Sequence, residues 1–361
     1  MLNKLSDYRS DYKEIFKKDK KMYDDALHKK VGNITFMALI PEDLELYNEL
    51  DLTAYNYEND IEAYTDKLLS LYENVLEKRK NVFDQRIPII SPVLGIGDYS
   101  AFVTGDIIFK PDTSWSTPCL ENITDYKNFP PIGTSKWYKL FLKISESLMI
   151  KMKDKGIPYM RGFFSPLDLA HALRGGKIYY DFYDHPEELH ELLDYCADAT
   201  ISFAKDIYAL AEKHLGNTEY GCWYTKNKIN MSEDIACMIS GDLYNEFCAP
   251  HTQKVIDYFG VGYMHCHSRA MYLVKEICKL NNVVHLWLAT DPNQPRPIEH
   301  IKELVESANG ASLAIDCEKF SEIEDNIELL KKGNFNIAMP VKNIEEAIYY
   351  SNKFNELIKK H

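Results

Sequence analysis

The chain has 361 residues, of which 45% are hydrophobic, enough for one large α/β domain or two ordinary ones. Its formal net charge of −13 argues against nucleic acid held by phosphate neutralisation and against an anionic membrane surface. Eight scattered cysteines without a Cys-x-x-Cys pair read as reduced core residues, not as a disulfide framework.

Met1 to Tyr8 has no apolar signal-peptide core, and no apolar run approaches membrane-spanning length. The expectation is a cytoplasmic protein without a membrane partner. Residues 1–86 read as a mainly helical N-terminal extension. Tyr12 to Ala26 is a lysine-rich solvated helix, Asn33 to Ile40 a short strand, and Pro41 restarts a helix at its first turn. Asp60 to Lys80 repeats Ile61, Tyr64, Leu68, Leu71, Tyr72 and Val75 at helical spacing.

Ile87 to Leu94 reads as the first buried strand, ending in Gly95-Ile-Gly97-Asp98. Asp98 is either a site carboxylate or a helix N-cap. A helix is expected from Ser135 to Lys153. The strand Ile157 to Ser165 then delivers Arg161, either to clamp an anion or to pair with a structural acid. Pro186 to Leu215 is a long helix with Leu189, Leu193, Cys196, Phe203, Ile207 and Leu210 along its buried stripe.

Glu219 to Thr225 reads as a strand presenting Trp223 and Tyr224. Asp242 to Tyr258 is a helix bent or broken near Pro250. Further strands are expected at Val261–Ser268, Val283–Thr290, Ala311–Cys317 and Phe335–Val341, each followed by a helix. Strand-then-helix repetition implies a parallel sheet with right-handed crossovers. Seven or eight buried strands without a glycine-rich phosphate loop favour a (β/α)8 TIM barrel over residues 87–361.

Within Val261–Arg269, alternate side chains of a strand share a face, so His265 and His267 point one way and Cys266 the other. In a barrel the strands' C-terminal ends form the site. Those ends carry Asp98, Arg161, Trp223, Tyr224, the two histidines, and Asp291 with Asn293, Gln294 and Arg296. His265 and His267 are candidate zinc ligands, with Cys317, Glu318, Asp291 or Cys266 as the third. Without metal they are an acid–base pair, and their bland reading is a hydrogen-bonded pair at the barrel rim.

Three stretches carry a resemblance: Asp181-Phe-Tyr-Asp-His-Pro-Glu-Glu-Leu-His-Glu-Leu-Leu193, Ile239-Ser-Gly-Asp-Leu-Tyr-Asn-Glu-Phe-Cys-Ala-Pro250 and His265-Cys-His-Ser268. From about Gly95 onwards the chain resembles the uroporphyrinogen decarboxylase superfamily. One branch of that family, metal-free decarboxylases, uses an arginine-rich N-terminal segment and a catalytic aspartate. Here Arg9 stands alone before Arg79, and Asp98 falls only approximately at the aspartate's place. The other branch transfers methyl groups between a corrinoid protein and a thiol, on zinc held by His-x-Cys and a later cysteine. His265 matches; His267 replaces the first cysteine, Met339-Pro340 occupies the second's place, and Cys317 lies one strand earlier.

The resemblance thus implies a zinc-dependent methyltransferase; the expected catalytic residues are His265, His267 and Asp98, and the expected metal ligands His265 and His267 with Cys317, which does not match the family's second cysteine but could substitute for it. Arg161, Trp223, Tyr224, Asp291, Asn293, Gln294 and Arg296 would bind substrate. A corrinoid is the expected substrate-side cofactor, and a small molecule, a corrinoid protein and a second copy of the chain are the expected partners. A metal-free decarboxylase and a non-catalytic binding barrel are the alternatives.

Overall fold

The computed structural model describes residues 4–45 and 49–360. Residues 1–3, part of the stretch read for a signal peptide, and residues 46–48 of the N-terminal extension lie outside the described residues. In chain order the strands are β1 (Ile34–Leu39), β2 (Ile107–Phe109), β3 (Ser114–Ser116), β4 (Phe163–Phe164) and β5 (Ile229–Ser232). They continue with β6 (Gly262–His267), β7 (Val283–Ala289), β8 (Ser312–Asp316) and β9 (Asn334–Pro340). Seven form one sheet in the order β1-β9-β8-β7-β6-β5-β4, while β2 and β3 make a separate antiparallel pair. The pairings β1–β9, β8–β9, β7–β8 and β4–β5 are all parallel, and helices separate the successive strands. The fold is α/β, of the parallel (β/α)8 type the alternation implies. No described helix is long and apolar enough to cross a membrane.

The chain divides into two compact units. The first comprises Met1–Leu46, Leu71–Ile89 and Tyr263–His361; the second comprises Tyr47–Ser70 and Ile90–Gly262.

In the first unit β1, inside the stretch read as an extension, pairs with β9 from Ile34↔Phe335 to Leu39↔Pro340. A buried charge cluster holds the other flank of β1. Arg79 donates to the Ala38 carbonyl at 2.8 Å and to Asp84 at 2.6 Å, and pairs with Asp43. Arg9 reaches the Asp84 carbonyl at 2.8 Å, and the Ala38 N–H donates to the Asp84 carboxylate at 2.9 Å. Each buried charge therefore has an opposite charge and backbone partners, the condition under which such a cluster is tolerated. It delivers the Gln85 N–H to the Phe36 carbonyl at 2.8 Å.

In the second unit Ile90–Leu94, the later part of the Ile87–Leu94 run, is less regular than its apolar composition suggests. Among its described residues it makes one parallel bridge, Ile90↔Tyr159. The Tyr64 hydroxyl instead clamps Val93, donating to its carbonyl at 2.6 Å and accepting its N–H at 2.8 Å. Pro186–Leu215 is one helix of 30 residues that buries Leu189, Leu193, Cys196, Phe203 and Ile207 of the expected stripe, while Leu210 is half-buried. The strand expected at Glu219–Thr225 is a run of turns, and the strand begins at Ile229. Aromatic residues there serve packing: the Lys228 ammonium sits 3.7 Å from the Trp223 ring centre, and Tyr224 is buried. Gly241–Leu243 leads into a π-helical turn, Tyr244–Cys248, and then the helix Ala249–Phe259. The Ala249 N–H bonds the Tyr244 carbonyl, five residues back. The widened turn relieves the clash and missing donor that Pro250 brings to a helix.

Candidate functional site

The first unit presents a polar constellation where β6 and β7 end. Along β6, Cys266 is fully buried while His265 and His267 on either side of it are half-buried. The histidine rings meet edge to face with centres 5.1 Å apart, and ring nitrogens of the two lie within 4.8 Å. The Trp287 ring of β7 stands 4.4 Å from His265, with 48% of its residue surface exposed, and walls the pair on one side.

Asp291, two residues beyond β7, fixes His267. Its Oδ1 lies 2.9 Å from His267 Nδ1, and its Oδ2 accepts the Arg269 backbone N–H at 3.2 Å and Nε at 3.1 Å. The Asp291 N–H donates to Ser268 Oγ at 3.0 Å. Burial raises the Asp291 carboxyl, but the Arg269 backbone and side-chain donors and His267 outweigh it and hold the group below its ordinary range. A carboxylate on Nδ1 sets the imidazole's tautomer and leaves Nε2 as the lone-pair donor. Burial and the neighbouring His267 push His265 down to about 4, so it is neutral at physiological pH.

The other residues expected at this mouth are placed differently. Cys317 is buried, and burial pushes its thiol up to about 12. Among the described residues of this unit, no third histidine, cysteine or carboxylate joins His265 and His267 as a ligand cluster, so Cys317 is not brought to them. Asn293 and Gln294 lie in an exposed turn, with Asn293 at φ +60°. Arg296 is held by Glu322 through bonds of 2.8 and 2.9 Å, with Glu299 and Glu318 beside it. Its charge is already spent on three acids, which suits a loop brace.

The second unit holds two buried carboxyl sites. Asp98 pairs with Arg161 at 3.2 Å, each 2–3% exposed. The guanidinium lies 5.3 to 5.8 Å from the ring centres of Tyr99, Phe141, Phe163 and Phe203. Burial outweighs Arg161 and pushes Asp98 up to about 6. Of the two sequence readings of Arg161, an anion clamp and the partner of a structural acid, the pairing with Asp98 matches the second. Trp223 and Tyr224 lie before β5, not at its C-terminal end, because the strand starts later than their aromatic run suggests.

The second site, missed in the sequence, is Glu233 with Asp168. Glu233, fully buried just after β5, accepts bonds from Thr252 at 2.7 Å, Ser165 at 3.0 Å and Tyr244 at 3.1 Å. Burial, then the charge of Asp168, pushes its carboxyl up to about 8. Asp168 accepts the N–H groups of Asp234 at 3.0 Å and Ile235 at 2.9 Å, besides the Ser232 hydroxyl. A strand running into Ser232-Glu-Asp234 was the only local signal.

No family model matches the chain, and none of the curated proteins does. Among solved structures it is similar to a methyltransferase from Methanosarcina mazei, with a TM-score of 0.57 and 12% identity over 91% of this chain and 97% of that one. That likeness establishes the fold. A homocysteine methyltransferase from Escherichia coli, MmuM in its apo form, aligns with a TM-score of 0.25 and 11% identity over 56% of this chain and 99% of that one, too distant to carry an argument.

Proposed function

We propose that this protein is a methyltransferase of the uroporphyrinogen decarboxylase superfamily that uses zinc at His265 and His267, with a corrinoid-bound methyl group as donor and a small thiol as acceptor. The observation that carries the reading is the oriented pair on β6: His265 neutral, and His267 fixed through Nδ1 by Asp291, itself clamped by Arg269. The likeness of His265-Cys-His267 to the superfamily's His-x-Cys, with His267 in the cysteine's place, and the shared fold with the Methanosarcina methyltransferase support it.

The ligand chemistry fits zinc in donor type and spacing. Two imidazoles with ring nitrogens within 4.8 Å suit a borderline-soft cation, and the carboxylate behind one of them is the usual partner of a ligating histidine. This unit supplies two of the three or four ligands that zinc normally takes. Zinc bound there would lower the pKa of a coordinated thiol and supply thiolate at neutral pH. The chain's own residues do the rest. Asp291 holds the His267 ring against rotation, and Arg269 keeps Asp291 ionised. Trp287 presents a flat apolar wall 4.4 Å from the His265 ring.

One observation favours a second reading, metal-free decarboxylation. Asp98, near neutrality at about 6 and beside Arg161, has the acid–base range to protonate a carbanion. Activity assays separate the two. Thiol methylation from a methyl-corrinoid, lost in His267→Ala and kept in Asp98→Asn, supports the first. Carboxyl loss that needs Asp98 but neither histidine overturns it.

A further inference from the structure

The first unit contains a cavity of about 500 Å³ away from the histidines, between β1, the helix Tyr12–Leu27 and the C-terminal helix Ile344–Lys360. Its size lies within the range of small-molecule sites. Lys18, Lys21, Lys331 and Lys359 stand around it, in a chain whose net charge is −13. One acid lines it, Asp84, and that carboxylate is already neutralised by Arg9 and Arg79. Lys21 is occupied by Asp25 and Asn33, and Lys331 stands 3.6 Å from the exposed carboxylate of Glu328. Among the described residues neither Lys18 nor Lys359 holds a carboxylate, so positive charge faces the opening uncompensated.

Two further observations point to an occupant. Phe83 and Ile358 line the cavity with 43% and 37% of their surface exposed, an apolar lip that water solvates poorly. Ser351, only 2% exposed, is one of the lining residues, and its buried hydroxyl oxygen has no hydrogen-bond partner. A buried hydroxyl left unsatisfied carries a desolvation cost that a polar ligand atom would remove.

We infer that this cavity binds an amphipathic organic anion: a compact aromatic or branched apolar body carrying one carboxylate, phosphate or sulfonate. The body packs against Phe83 and Ile358, the anionic head meets Lys18, Lys331 and Lys359, and a polar atom of the body satisfies Ser351. The site needs neither zinc nor methyl transfer, so it stands or falls apart from the proposed activity.

The probe is 8-anilinonaphthalene-1-sulfonate, followed by fluorescence on the folded full chain. N-phenyl-1-naphthylamine is the same body without charge. Saturable one-to-one binding is expected, about tenfold tighter than for the neutral probe and weakened by salt. Lys18→Glu/Lys331→Glu should weaken it by about tenfold or more, with an unchanged unfolding midpoint. Lys18→Glu alone, at an exposed position, covers the case of a double variant that misfolds. No saturable binding overturns the inference. So does equal affinity for both probes, or sulfonate binding that charge reversal leaves unchanged.

Discussion

Replacing Glu233 by glutamine tests whether the second unit is built around a neutral carboxylic acid. Glutamine keeps the shape and the acceptor for Thr252 and Tyr244 but cannot ionise. In the folded chain burial holds Glu233 near 8, against 4.5 for a free glutamate. Between those values the unfolded chain releases the proton and the folded chain keeps it. Stability contributed by the protonated form is therefore full below about 4.5 and is lost as pH rises to about 8. The slope is about 1.4 kcal/mol per pH unit. From pH 5.5 to pH 7.5 the wild type should lose about 2.7 kcal/mol relative to Glu233→Gln. The assay is urea unfolding of both proteins at the two pH values, read as the difference of differences, which cancels groups common to both. A difference that stays constant across the range would refute the neutral acid and leave Glu233 ionised in the fold.

Arg79→Leu should destabilise the first unit by about 3–5 kcal/mol, because Asp43 and Asp84 are left buried with fewer counter-charges; chemical denaturation measures it. A loss below 1 kcal/mol would mean that water reaches the cluster. Asp291→Asn should weaken zinc binding by about 10–100-fold without changing the fold, as loss of a ligand's outer partner does. Competition with a chromogenic chelator reads the affinity, and an unaltered value would show that Asp291 does not serve the metal.

The parallel α/β pattern was readable because β6 to β9 are apolar runs bounded by polar turns, and each strand's limits fall within a residue or two of the expected ones. Placing His265 and His267 on one face needed only the twofold repeat of a strand. Ile87–Leu94 and Glu219–Thr225 misled for one reason: aromatic and β-branched composition signals burial, and burial there is met by Tyr64 and Lys228 without ladder pairing. Glu233 was invisible because Ser-Glu-Asp after a strand looks like a solvated loop. Only Ser165, Tyr244 and Thr252, dispersed along the chain, make it a buried acid. Arg296 looked available because Glu322, its partner, lies a strand away.

The most direct test of the central claim is the metal content of protein purified without chelator or histidine tag, as wild type and as His267→Ala. Near-stoichiometric zinc in the wild type, lost in the variant while the fold is kept, is the predicted result. Wild-type protein that stays metal-free after zinc is offered, or equal zinc in both proteins, would contradict a metal centre on β6.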